Sequence, residues 1–436
     1  MKPSRIPRRR FLKAAGKTAL AAGVAAAFPV PLFAQRGPAR VRLGFVGFGQ
    51  RGVQLARAAR SLPGVEILAV ADSYDGRLAR AREIAGDQVE AVRDQRRVIE
   101  SREIDAVVIA TPDHWHAPLA LAAAEAGKDV YCETPLTHAR SEEAALARAF
   151  AGPERLLQCG GGRVTSPLYL AAREQLQSGR LGRVTLVSGV WETGSALDAW
   201  LPPFPPDASP ATIDFAAFLG GAPEREFDLH RFFRWQRYWD YGAGLAGARF
   251  APQLGVIQWL LGANQPQRVT AAGALSRWKD GREVPDTLSA VFEYAEGFTA
   301  SLTASQNGGR EQELRFVGTD GTLVIGESRL TILPEATGEP YADLGESWPK
   351  AYRDWFYMMH AVGADGQPRG GPSVAKTAEV FELPAGTGAA AAHLADFVDA
   401  VRTRRAPKEG VALGLAAAAG AQMANEAYRQ RRSVTL

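Results

Sequence analysis

Gly44-Phe45-Val46-Gly47-Phe48-Gly49-Gln50-Arg51-Gly52 decides how the rest of the chain is read. It continues the apolar run Val41–Val46 and opens a helical stretch, Gly52–Ser61, so G-x-G-x-x-G falls where a strand turns into a helix. Gly47 permits the tight turn, Gly49 lets the backbone approach a pyrophosphate, and Gly52 lets helix and strand pack closely. The helix start around Phe48, Gln50 and Arg51 offers unpaired N–H groups and a positive dipole end to phosphates. An acid is due about 20 residues further on, and Asp72 closes Leu68-Ala69-Val70-Ala71-Asp72. A carboxylate there accepts from a ribose 2′-OH and repels a 2′-phosphate. NAD is therefore expected over NADP, which the next residues, Ser73 and Tyr74, leave open.

Outward from this turn, short apolar runs alternate with helical patterns. Val65–Ala71, Ala106–Ala110, Asp129–Cys132 and Leu156–Gly160 read as strands, and Arg77–Ala85 and Pro118–Ala126 as helices. Such alternation predicts an α/β fold with a doubly wound parallel sheet over residues 39–160. Residues 161–436 read as a second, α+β domain with an open, mainly antiparallel sheet. Its strands are Val184–Val190, Gln267–Ala274, Thr287–Tyr294, Thr299–Ser305, Glu313–Val317 and Thr322–Ile325. Pro202–Pro210 and Gly363–Ser373 read as loops, and His393–Val401 and Leu413–Gln430 as helices. A length of 436 residues suits two domains. Cys132 and Cys159, the only cysteines, read as buried free thiols rather than a disulfide framework.

The formal charge of +4 is misleading. Residues 1–34 hold seven Lys or Arg and no acid, so the remainder is net −3. That balance gives no bulk attraction to nucleic acid. Arg8-Arg9-Arg10-Phe11-Leu12-Lys13 followed by an Ala-rich stretch reads as a twin-arginine export signal ending near Ala34. Lys17, Pro29 and Pro31 make it a poor membrane span. The expected location is the periplasm or another exported site, with no stable span once the signal is removed. The twin-arginine route carries proteins already folded, and its usual clients have acquired a cofactor first.

Ala110-Thr111-Pro112-Asp113-His114-Trp115-His116 and Tyr131-Cys132-Glu133-Thr134-Pro135-Leu136 carry a resemblance. With Gly179–Val184, Tyr238–Gly242, Gly318–Thr322 and Ala424–Tyr428, they make the chain resemble the glucose-fructose oxidoreductase and inositol dehydrogenase family (Gfo/Idh/MocA), in particular its exported branch. The resemblance implies a Rossmann domain, an oligomer-forming open sheet, a tightly held NAD or NADP, and a carbohydrate substrate. It places Thr111, Pro112, His114, His116 and Glu133 with the glycine turn at the cofactor. It places Asp240 and Tyr241 at the substrate, although Asp240 could equally cap a turn.

The departures lie at the proton-handling positions. The family's usual lysine beside the nicotinamide is Thr134 here, its usual Asp is Ala248 and its usual His, one helical turn on, is Pro252. A further family Asp is Gly255, and Arg249 and Phe250 replace a small or aromatic pair. A threonine hydroxyl does not titrate near neutrality and cannot replace an ammonium. His114 and His116 are the candidate substitutes, with shaping of the loop as the other reading. Arg163 is a candidate for an anionic or polyol group, or an ordinary surface arginine. Trp235 and its aromatic neighbours can stack a sugar or belong to the core. No metal site is read. Two functions follow. One is an exported NAD-dependent oxidoreductase of sugars, polyols or glycosides with altered acid–base groups. The other is a catalytically silent NAD-binding module, as a homo-oligomer or as the partner of an active relative.

Overall fold

The computed structural model describes residues 40–309, 312–334, 347–360, 377–382 and 389–436. The stretch read as an export signal and the expected Gly363–Ser373 loop lie outside the described residues. Six parallel strands, β1 (Val41–Val46), β2 (Val65–Ala71), β3 (Glu90–Val92), β4 (Ala106–Ile109), β5 (Asp129–Cys132) and β6 (Leu157–Cys159), form the first sheet. Their order is β3-β2-β1-β4-β5-β6. The order reverses beside β1, so a crevice opens at the C-terminal ends of β1 and β4, where such sheets bind ligands. β4 and β5 are buried throughout because helices cover both faces. One covering helix comes from the far end of the chain. Leu394, Phe397, Val398 and Val401 of helix Ala389–Thr403 share one apolar cluster with Leu55 and Ala59 of helix Gln50–Arg60.

The second sheet has nine strands: β7 (Val184–Glu192), β8 (Arg268–Ala274), β9 (Thr287–Glu293), β10 (Thr299–Ser305), β11 (Gln312–Gly318), β12 (Gly321–Ile325), β13 (Arg329–Pro334), β14 (Glu379–Glu382) and β15 (Val434–Thr435). They run β14-β13-β12-β11-β7-β10-β9-β8-β15, and every neighbouring pair is antiparallel except β7 and β10. β9 and β10 alternate strictly, with Leu288, Ala290, Phe292, Ala300, Leu302 and Ala304 buried. These residues pack with helices Ala251–Leu261 and Val411–Gln430 in the largest core. The mainly antiparallel architecture is the one expected. β3, β13, β14 and β15 were not anticipated: β3, β14 and β15 are short, and β3 and β14 carry glutamates where an apolar alternation would mark a strand. Cys132 and Cys159 are buried and free, as register partners on β5 and β6.

Candidate cofactor and substrate site

The glycine turn has the geometry its spacing calls for. Gly47 sits at φ +87°, and a Cβ there would come 2.5 Å from the carbonyl oxygen of Ala110. A Cβ on Gly52 would lie 2.3 Å from the Gly47 carbonyl oxygen, so helix and turn touch there. A Cβ on Gly49 would meet only the Arg77 guanidinium, at 3.7 Å, so that backbone faces open space. Helix Gln50–Arg60 begins with no side-chain cap and no acid in its first turn, leaving its N–H groups and dipole for an anion. Asp72 is 7% exposed and accepts hydrogen bonds from the Phe48 and Tyr74 N–H groups at 2.7 and 3.0 Å. Arg77 faces the same carboxylate at 3.5 Å, resting on the rings of Phe232 and Phe233. Nothing in the sequence reading singled out Arg77; a basic residue in the first turn of the helix after Asp72 is the signal that was available.

One cavity of about 900 Å³ runs from this turn into the second domain. That is the size of a cofactor site with room for a substrate. Gln50, Arg51, Thr111, Pro112, Glu133 and Thr134 line its middle. Arg51 donates to Glu133 at 2.8 Å across the crevice, and that carboxylate holds the Arg51 guanidinium above its ordinary pKa. The Thr111 hydroxyl is buried without a partner. The Thr134–Pro135 peptide is cis.

The two loop histidines differ in position. His116 is 1% exposed and lines the cavity, but both ring nitrogens face carbonyl oxygens, Pro135 at 2.8 Å and Thr111 at 3.0 Å. Both nitrogens are thus turned to the backbone rather than towards the contents of the cavity. Asp113 beside it is fully buried, and burial pushes its carboxyl up while His116 pulls the other way. His114 lies off the cavity, between Phe218 and Tyr241, with Nε2 at 3.0 Å from the Phe218 carbonyl oxygen. Burial lowers its pKa to about 4, so it stays neutral in neutral solution. Of the two readings open for His114, substitute base or loop-shaping side chain, its packing away from the cavity suits the second.

At the substrate end, Trp235, Arg163, Ala248 and Pro252 all line the cavity. Ala248 lies in a π-helical turn, Ala246–Phe250, and Pro252 in the first turn of the helix that follows. Proline has no N–H to return to the carbonyl four residues back, that of Ala248, which suits a widened turn there. Asp240 and Tyr241 do not reach the cavity. Asp240 is held by Arg225 at 2.7 Å and Arg231 at 3.2 Å, and Tyr241 is fully buried in an aromatic cluster with Phe218 and Phe232. Their place beside the pocket in the sequence pattern is therefore not contact with its contents. Trp191, Trp200 and Gln253, which no motif singles out, line this end together with Arg249, already noted as a departure from the family. Trp200 is held at φ +59°, a conformation that is rare for a bulky residue.

The crevice therefore fits a dinucleotide: an open glycine backbone, a bare helix start and a buried acid stand in line. Comparison with known proteins agrees. Residues 41–160 match the family profile described as oxidoreductase family, NAD-binding Rossmann fold, and residues 216–324 match the GFO/IDH/MocA C-terminal domain. The scyllo-inositol 2-dehydrogenase (NAD(+)) of Bacillus subtilis is 30% identical over 296 residues, covering 66% of this chain and 75% of that protein. Inositol 2-dehydrogenase 1 of Saccharopolyspora erythraea is 28% identical over 320 residues, covering 72% and 83%. In fold, the chain is similar to levoglucosan dehydrogenase in complex with NADH and levoglucosan. The TM-score is 0.67 at 18% identity, covering 91% of this chain and 99% of the other.

Proposed function

This chain belongs to the Gfo/Idh/MocA oxidoreductase family, and from that premise we propose that it is an exported protein that holds NAD tightly and binds a sugar or polyol against it. The observation that carries this reading is the single cavity that joins the Gly47–Asp72 cradle to Trp235, Ala248 and Pro252. The glycine turn and helix start bind the pyrophosphate, Asp72 the adenosine ribose, and the Glu133–Arg51 pair borders the reacting end. Asp72 favours NAD over NADP. Bound nicotinamide supplies hydride transfer. The protein's own contribution is position, because Thr134, Ala248 and Pro252 offer no titratable group. Proton movement falls to solvent or to the substrate itself, and turnover is slow. The arginine pattern at Arg8-Arg9-Arg10 supports folding and nucleotide capture before export, after which the nucleotide is recycled in place or kept as a structural ligand. The outer face of the second sheet, with Leu186 and Val291 about two-fifths exposed, suits an oligomer contact.

The fixed bonding of His116 favours a second reading, a catalytically silent member that retains NAD for stability. One experiment separates the two. Nucleotide released from periplasmic protein is identified by mass spectrometry, and the reduced-nicotinamide absorbance is followed over minutes to hours with aldoses, polyols and glycosides. Nucleotide with a slow absorbance change supports the oxidoreductase. Nucleotide without any change supports the silent reading. Protein free of nucleotide, with no affinity for it, refutes both.

A further inference from the structure

The substrate end of the cavity carries charge that a neutral sugar does not call for. Arg163 comes from the turn after β6 and Arg249 from the π-helical turn. Both guanidinium groups stand over the Trp191 ring on β7, at 4.9 and 5.5 Å from its centre. Like charges that share one ring in a partly closed cavity repel each other, and an anion between them removes the repulsion. Asp198 lies 3.6 Å from Arg249. Among the described residues Arg163 has no acid within ion-pair distance, and Glu313 and Glu327, which also line the cavity, reach neither arginine. Arg163, Arg249 and Asp198 together leave one positive charge in excess. Burial lowers the Arg249 pKa from its ordinary value, Arg163 adds to that effect and Asp198 opposes it.

A second observation is independent of charge. Gln253 is 3% exposed and lines the same cavity, yet its Nε2 and Oε1 both lack a hydrogen-bond partner. A Cβ at Gly189, on the same face of β7 as Trp191, would lie 2.6 Å from that Oε1, so the bare glycine leaves the amide its space. The Trp191 Nε1 is also buried without a partner. A buried carboxamide with donor and acceptor both idle is costly, and a ligand rich in hydroxyls satisfies both.

We infer that this cavity takes a sugar bearing one carboxylate, a uronate or an aldonate, with the carboxylate between Arg163 and Arg249 and ring hydroxyls on Gln253. The guanidinium fork of Arg163, with no acid in ion-pair reach, matches a carboxylate. The inference rests on the reading of this cavity as the sugar site and names its substrate class.

Purified full-length protein is titrated calorimetrically with D-glucuronate, D-gluconate, D-glucose, myo-inositol and D-glucose 6-phosphate, at low and high salt. The expected result is that an acid sugar binds at least about tenfold more tightly than glucose, with the advantage shrinking as salt rises. Arg163→Gln should weaken acid-sugar binding by about 10–100-fold, the scale of one charged hydrogen-bonding partner, and Arg163→Lys should retain part of it. Equal affinity for glucose and glucuronate overturns the inference, as does Arg163→Gln without effect. Tighter binding of glucose 6-phosphate overturns the carboxylate in favour of a phosphate. Should Arg163→Gln fail to fold, the ligand and salt comparisons on the unaltered protein decide. Nucleotide content is measured on the same samples. Nucleotide-loaded protein indifferent to acid sugars sinks this inference alone, whereas nucleotide-free protein that binds glucuronate leaves it standing and sinks the cofactor reading.

Discussion

The two ends of one cavity are built on opposite terms. At the nucleotide end the charged side chains are answered: Asp72 by two backbone N–H groups and Arg77, Glu133 by Arg51. At the substrate end Gln253 and the Trp191 indole stand unanswered, beside Thr134, Ala248 and Pro252, none of which carries a titratable group. The first end is complete without its ligand apart from the phosphate donors. The second is complete only with one. In the function proposed here, cofactor affinity rests on the backbone and proton transfer on a few side chains that a chain can lose while it keeps its shape.

The strongest way to break the contrast is to repopulate the poorer end. Thr134→Lys, Ala248→Asp and Pro252→His together should raise single-turnover reduction of bound NAD by about 10²–10⁴-fold with a sugar that binds, measured by stopped-flow absorbance. No gain would mean that the missing groups are not what limits the chemistry. Spoiling the richer end should be nearly as severe. Gly47→Val forces a branched side chain to φ +87° against the Ala110 carbonyl, and co-purified nucleotide should fall more than about tenfold, read by chromatography of the released nucleotide.

His114 provides a pH test. Its folded-state pKa, about 4, is below the ordinary value of 6.5, so the unfolded chain takes up its proton first as pH falls. The stabilisation is therefore complete above about pH 6.5 and lost progressively towards pH 4, at most about 3 kcal/mol. Asp113, raised by burial, acts in the opposite sense, so the measurement is the difference between the unaltered protein and His114→Asn in denaturant unfolding at pH 7 and pH 4.5. The two should converge as pH falls; a constant gap would refute the assignment. The smallest effect is expected from Asp72→Asn, which keeps its shape but loses its charge. NAD affinity should drop by less than about tenfold and discrimination against NADP should narrow, measured by competitive titration.

Much of the nucleotide end could be read from the sequence because it is local. Three glycines, one strand and one acid lie within the 26 residues from Gly47 to Asp72, and much of their chemistry is that of the backbone. The substrate end draws Arg163, Trp191, Asp198, Arg249 and Gln253 from segments that only the tertiary fold brings together. Arg163 alone among them was a candidate from sequence. Asp240 and Tyr241 were misplaced for the converse reason: nearness in sequence to a lined pocket does not fix which way a side chain turns, and Arg225 and Arg231 draw Asp240 aside. The same limit applies to the strands. Long apolar runs such as β1, β2, β9 and β10 match their expected bounds to within a residue, whereas short edge strands such as β15, paired only through Val434 and Thr435, carry too few residues to show a period.

Helix Ala389–Thr403 seals the first sheet with residues made some 340 positions after the strand they cover. On the ribosome, the nucleotide-binding half must wait, with Leu55 and Ala59 uncovered, until that helix has emerged. Final closure of that half is therefore a late event of synthesis, and a truncation that removes this helix would cripple it.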